Sequence, residues 1–168
     1  MNCLVIIDVQ KYFINRYSKY VVKRISNLAK EQHFDHIVAT RFVNNKNSPY
    51  VKLLNWRKVM DKESQTIPDE IAGLTERIFE KNLYTCFTPE FKNFVKENKI
   101  DHLYFCGIDT DCCVLKSAAD AFEAGIHPVV IESCCASHGG WLAHRAAIRV
   151  IKRLIGCQSV VKNMEDKK

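Results

Sequence analysis

The chain has 168 residues, of which 47% are hydrophobic and 26% charged, with a formal net charge of +6. That length and apolar share suit one domain with a substantial core, 1–168, and exclude a disordered chain. The N-terminal apolar run Cys3 to Ile7 meets Asp8 at once and no run approaches a membrane span, so neither a signal peptide nor a membrane anchor is predicted and a cytoplasmic protein is expected.

Short apolar runs alternate with helical patterns along the chain, the arrangement of a parallel sheet with helical crossovers. The first strand is predicted at Cys3 to Asp8, a helix near Tyr17 to Gln32, and a second strand at His36 to Arg41. Phe42 to Thr75 exceeds an ordinary connection and is expected to contain a helix or form a lid; it carries Trp56. A third strand at Arg77 to Lys81 leads, through Thr88 and Pro89 as N-cap and first-turn residue, into a helix at Pro89 to Asn98. The fourth strand, His102 to Gly107, is followed by a helix at Cys113 to Ala124 that Gly125 ends. Strands at His127 to Glu132 and Gln158 to Val161 flank a last helix at Leu142 to Ile155. This predicts a single α/β domain on six strands, without internal repeats, low-complexity segments or linkers.

The positive charge does not gather into a nucleic-acid signature. Arg145, Arg149 and Lys152 can share one face of the last helix, which reads as a solvated face, and no aromatic-interleaved basic groove occurs. Eight cysteines lie inside apolar patterns, at Cys3, Cys86, Cys106, Cys112, Cys113, Cys134, Cys135 and Cys157, and are expected to be reduced. The adjacent pairs lack metal-ligand spacing, so no structural zinc is predicted. There is no glycine-rich phosphate loop, so no cofactor is predicted either.

In an open parallel sheet, chemistry collects beyond the carboxyl ends of the strands. Three reactive side chains are predicted there: Asp8 ends the first strand, Lys81 ends the third, and Cys113 follows the fourth. A carboxylate can accept a thiol proton, an ammonium can stabilise both charges, and a thiolate can attack a carbonyl. Cys113 is expected in the first turn of a helix, where free amides and the helix dipole favour a thiolate and can receive an oxyanion. The alternative is a buried, inert cysteine beside a structural ion pair.

Three blocks add a resemblance. They are Leu4-Val5-Ile6-Ile7-Asp8-Val9-Gln10 with Phe13; Glu80-Lys81-Asn82 with Tyr84-Thr85-Cys86-Phe87; and Gly107-Ile108-Asp109-Thr110-Asp111-Cys112-Cys113-Val114, continuing through Ala118 to Ala121 and Gly125. In these blocks and their order the chain resembles the isochorismatase-like cysteine hydrolase superfamily, which includes nicotinamidases, N-carbamoylsarcosine amidases and ureidoacrylate amidohydrolases. The resemblance implies a Rossmann-like three-layer αβα fold around a six-stranded parallel sheet, and a catalytic triad of Asp8, Lys81 and Cys113. It places the nucleophile immediately before the valine, at Cys113 rather than Cys112. It further implies a cis peptide between Ile108 and Asp109, an oxyanion hole from the amides of Asp109 and Cys113, and Phe13 in the pocket wall.

The departures bear on substrate. Nicotinamidases carry an Asp and His metal set after the second strand; here that segment reads Thr40-Arg41-Phe42-Val43-Asn44-Asn45, and no metal is expected. Arg41 and Asn44 are candidates to contact a polar substrate and Trp56 to close over it, against an ion pair for Arg41 and loop packing for Trp56. The expected activity is metal-independent hydrolysis of a small non-peptide amide, ureido or related C–N bond through an acyl-enzyme. The alternatives are vinyl-ether hydrolysis of the isochorismatase type, or a catalytically silent binding or assembly protein if Tyr12 or the long insert blocks the pocket. A small-molecule substrate is expected, without nucleic-acid or membrane partners, and the resemblance implies a homo-oligomer, dimer or tetramer.

Overall fold

The structure is a computed structural model and describes residues 1–166. Its strands are β1 (Asn2–Ile7), β2 (His36–Phe42), β3 (Arg77–Lys81), β4 (His102–Ile108), β5 (His127–Ala136) and β6 (Val160–Val161). They form one six-stranded parallel sheet in the order β3-β2-β1-β4-β5-β6. From Cys3 on, every residue of β1 is buried, and β4 is buried from Leu103 on. Successive side chains point to opposite faces, so unbroken burial means that both faces of these central strands are covered.

The covering helices are α1 (Tyr20–Glu31), α4 (Pro89–Glu97), α5 (Leu115–Glu123) and α6 (Trp141–Ile155). Each buries a stripe at helical spacing: Val21, Ile25 and Leu28 in α1, Phe91, Phe94 and Val95 in α4, Ser117, Ala118 and Ala121 in α5, and Ala147, Ile148, Ile151 and Ile155 in α6. Thr88 caps α4 as expected, its Oγ1 accepting from the Phe91 amide at 3.2 Å. α1 begins at Tyr20 rather than Tyr17, because the preceding residues form a separate turn. There the Ser18 hydroxyl accepts from the Asn15 amide at 2.9 Å and donates to the Phe13 carbonyl at 2.6 Å.

Two other boundaries move. β5 runs on from Glu132 through Ala136, pairing Cys135 with Gly107 and Ala136 with Ile108 after an irregularity opposite Phe105 and Gly107. β6 is reduced to Val160–Val161, and Gln158 belongs to a 3-10 turn at Cys157–Ser159. The long segment after β2 contains two short helices, α2 (Pro49–Leu54) and α3 (Asp69–Ala72), within otherwise irregular chain.

The chain leaves β1 toward β2 and β3 and then returns to β4 on the other side of β1, so the strand order reverses between β1 and β4. Such a switch point opens a crevice beyond the carboxyl ends of the strands. Gly107, paired with Ile7, permits the close approach there. Its φ is +117°, and a Cβ on it would lie 2.1 Å from the Ile7 carbonyl oxygen.

Candidate active site

Asp8 is the first residue past β1 and adopts a left-handed backbone, φ 45°. Thr40 of β2 fixes it at two atoms, donating from Oγ1 to Asp8 Oδ1 at 2.7 Å and accepting from the Asp8 amide at 3.2 Å. Lys81, at the end of β3, places Nζ 2.6 Å from Asp8 Oδ2, and neither side chain is exposed. The same ammonium donates to the carbonyls of Leu83 and Tyr84, at 2.9 and 3.2 Å, and to Cys113 Sγ at 3.3 Å. The three strand-end residues singled out in the sequence thus converge on one buried ammonium.

Cys113 is not in the first turn of an α-helix. It lies in a π-helical turn, Thr110–Val114, that precedes α5 and is closed by the Val114 amide donating to the Asp109 carbonyl at 3.0 Å. The peptide between Ile108 and Asp109 is cis. Thr110 Oγ1 shares a 2.8 Å hydrogen bond with His144 Nδ1, tying this turn to α6. π-turns inside helical segments occur frequently at functional sites.

The electrostatics reverse one expectation. Burial, followed by the Asp8 carboxylate, pushes the Cys113 thiol well above its ordinary value, and Lys81 opposes that shift without overcoming it. Cys113 therefore rests as a thiol, because a thiolate would add a second buried anion beside Asp8. For Lys81, burial works against the charge, but Asp8 and then Cys113 raise it above its ordinary value, so it stays an ammonium. The resting group is thus a buried ammonium held between Asp8 and a neutral thiol.

Cys113 faces a cavity of about 250 Å³. Phe13 and Trp56 stand in its wall, together with Phe42, Tyr50, Leu54 and Tyr84, and Cys112, Asp109 and His138 complete the lining. Tyr12 does not fill the cavity; it packs edge-on against Phe13 and Trp56, with ring centroids 5.2 and 5.8 Å away.

Arg41 and Asn44 are not at this cavity. Arg41 points to the sheet surface and pairs with Glu80 at 2.7 Å, since alternation along β2 sends it to the face opposite its neighbours Thr40 and Phe42. Asn44 is buried and holds the insert together, donating to the carbonyls of Trp56 and Lys58 at 3.1 and 2.9 Å.

The sequence reading missed Tyr50 and Tyr84 as wall residues, and it missed a hydrogen-bonded Asp–His pair. Asp109 accepts from the His138 amide at 2.6 Å and lies 2.6 Å from His138 Nδ1. His138 follows the carboxyl end of β5. With the strand drawn only to Glu132, the rule that located Asp8, Lys81 and Cys113 did not reach it.

Among the described residues, no three His, Cys, Asp or Glu side chains converge as a metal site requires. The segment after β2 offers Asn44, whose amide is already engaged, so the residues present do not fit the Asp and His set of nicotinamidases. Also among the described residues, no helix is long and apolar enough to cross a membrane.

Residues 2–162 match the family described as the isochorismatase domain. Isochorismatase family proteins 1A and 1B of Dictyostelium discoideum are each 36% identical over 64 residues, 37% of this chain. The match spans 31% of the length of each of these curated relatives. The fold is similar to that of a pyrazinamidase/nicotinamidase from Streptococcus mutans, with a TM-score of 0.82 at 18% identity, covering 96% of this chain and 100% of that one. It is also similar to PnC1 from L. infantum, solved in complex with nicotinate, with a TM-score of 0.80 at 16% identity, covering 96% and 95%.

Proposed function

The chain belongs to the isochorismatase family, and from that membership and the geometry at Cys113 we propose that it is a metal-independent cysteine hydrolase of a small non-peptide amide, ureido or related C–N bond. The observation that carries this reading is the convergence of Asp8 and Lys81 on Cys113, which lines one cavity, with Lys81 Nζ 2.6 Å from the carboxylate and 3.3 Å from the sulfur. A structural ion pair would not need a cysteine as its third member beside an open pocket. The cavity, about 250 Å³, falls just below the usual range of small-ligand sites and suits one ring or a short chain rather than a polypeptide.

The reaction follows from the resting charges. Asp8 accepts the Cys113 proton as Sγ attacks the substrate carbonyl, and Lys81 steadies the carboxylate and the developing thiolate. The amides of Asp109 and Cys113 are assigned to the oxyanion of the tetrahedral intermediate. Its collapse breaks the C–N bond, and the departing amine takes the proton held on Asp8. Asp8 then accepts a proton from water, which attacks the thioester; the acid leaves and the proton returns to sulfur.

The test is a panel of small amides and ureides with Cys113→Ala beside the unmodified protein. The expected result is turnover of at least one compound, an acyl adduct on the Cys113 peptide in mass spectra of quenched samples, and loss of both in Cys113→Ala at an unchanged unfolding midpoint. Full activity in Cys113→Ala overturns the nucleophile assignment.

A further inference from the structure

His138 is held from several sides. Its Nδ1 and its amide both face the Asp109 carboxylate, each at 2.6 Å, and its carbonyl accepts from Asn15 Nδ2 at 2.9 Å. Its ring stands against Phe13 and Tyr12, with centroids 5.4 and 6.0 Å away. These contacts fix the orientation of the imidazole and leave Nε2 as its unengaged nitrogen, in a residue that lines the cavity.

The rest of the wall is mostly carbon. Lys81 is no free cation there, because Asp8, Cys113 and the carbonyls of Leu83 and Tyr84 surround its ammonium. Asp109 presents no free charge either, because both of its oxygens meet His138. Among the described residues, the imidazole is therefore the one lining side chain that, when protonated, can offer a ligand a cationic donor. In a mostly apolar pocket, such a group fixes ligand orientation and supplies specificity.

We propose that His138, oriented by Asp109, is a specificity-determining residue that binds an anionic substituent, such as a carboxylate, on a flat unsaturated amide whose carbonyl lies at Cys113. This rests on the hydrolase reading for the position of the carbonyl, but the binding contact does not require turnover. A cavity of about 150 Å³ holds benzene, so about 250 Å³ leaves room for one ring with its amide and one further small group. The Asp109 hydrogen bond, chiefly, raises His138 above the ordinary histidine value; burial opposes it, and the charges of Asp109 and Asp111 add to it. The donor form is consequently present at lower pH and lost as pH rises through that raised value. Tyr12, Phe13 and Asn15, which pack against the imidazole or its carbonyl, add no formal charge at neutral pH.

The test is calorimetric titration of Cys113→Ala protein with benzamide and meta-carboxybenzamide from mildly acidic to mildly alkaline pH. The carboxylated amide is expected to bind about tenfold more tightly at the acidic end, the scale of one charge-assisted hydrogen bond. The preference should vanish at alkaline pH and in a second protein that also carries His138→Phe. Asp109→Asn, which keeps the backbone amide, should move the loss of preference to lower pH. Equal affinity for the two amides, a preference unchanged by His138→Phe, or no binding of either overturns the proposal. Turnover by unmodified protein separates the two readings. Hydrolysis without a carboxyl preference leaves the hydrolase standing and rejects the role of His138, whereas the preference without turnover or acyl adduct does the reverse.

Discussion

Burial, and then Asp8, raises the Cys113 thiol while Lys81 lowers it, and in the proposed mechanism these opposed charges let the proton move only when a carbonyl is in place. Two variants should therefore separate thiol reactivity from catalysis. Asp8→Asn removes the anion that disfavours the thiolate while leaving the ammonium, so iodoacetamide should label Cys113 several-fold faster at neutral pH. Hydrolysis should nevertheless fall about a hundredfold or more with the loss of the general base. Lys81→Met should slow both. Slower labelling in Asp8→Asn would mean that the carboxylate does not hold the resting thiol neutral. Each single change leaves one buried charge without its partner and should destabilise the fold by about 3–5 kcal/mol, with the double variant losing less than the sum. Thr40 belongs to the same unit as a positioning residue, because its hydroxyl meets Asp8 at both the carboxylate and the amide. Thr40→Val should lower kcat with little change in KM, whereas a merely structural role would change stability and leave kcat alone.

At the scale of elements, the ends of β1, β2 and β3 and the turn after β4 hold these side chains in register. Gly107 sits where β4 passes Ile7, and a methyl group there meets backbone rather than a movable side chain. Gly107→Ala should cost more than about 1 kcal/mol in urea unfolding, combining a positive φ with a clash that neither strand can relieve. An unchanged midpoint would show that the two strands can part at this point. Thr88→Ala should cost about 1 kcal/mol by removing the cap on α4. These elements also mark what the sequence could convey. β3 was legible to the residue, because Arg77 to Lys81 lies between a loop and a turn and carries its own strand pattern. Asp8 was legible because it is the first charged residue after the apolar run of β1, and Lys81 because it closes the β3 pattern just before a turn. The end of β5 was not, because Ser133, Cys134 and Cys135 have no strong strand preference, and the strand is carried on by Cys135 and Ala136 pairing with Gly107 and Ile108 of β4, distant in sequence. The π-turn was hidden for a related reason: its side-chain pattern is that of an α-helix, and only the Val114 to Asp109 hydrogen bond distinguishes it. With those two features unseen, His138 and its partner Asp109 could not be placed together.

Across the whole molecule, the candidate site is a cleft at the switch point walled in part by a long insert, which one buried amide fastens to the sheet and another braces from within. Gln10 accepts from the Phe42 amide at 2.7 Å and donates to the carbonyls of Phe42 and Gln65, at 3.0 and 3.2 Å, bridging the start and the later part of the insert. Asn44 works within it, donating to Trp56 and Lys58 and accepting from the Asn45 amide and the Ser48 hydroxyl, at 2.9 and 2.5 Å. Trp56 is therefore placed against the cavity by its backbone, not only by the packing of its ring on Tyr12, Phe42 and Tyr50. Asn44→Ala leaves those buried carbonyls without their donor and should destabilise the protein by about 1–3 kcal/mol. Because Asp8, Lys81 and Cys113 lie outside the insert, which supplies Tyr50, Leu54 and Trp56 to the cavity wall, the change should raise KM more than it lowers kcat and should move Trp56 emission to longer wavelength. Arg41→Ala is the contrasting variant. It removes a surface ion pair outside the cavity, so it should cost no more than about 1 kcal/mol and leave both kinetic constants unchanged. If instead Arg41→Ala raises KM while Asn44→Ala does not, substrate meets the open face of β2, and the insert is not the wall of the site.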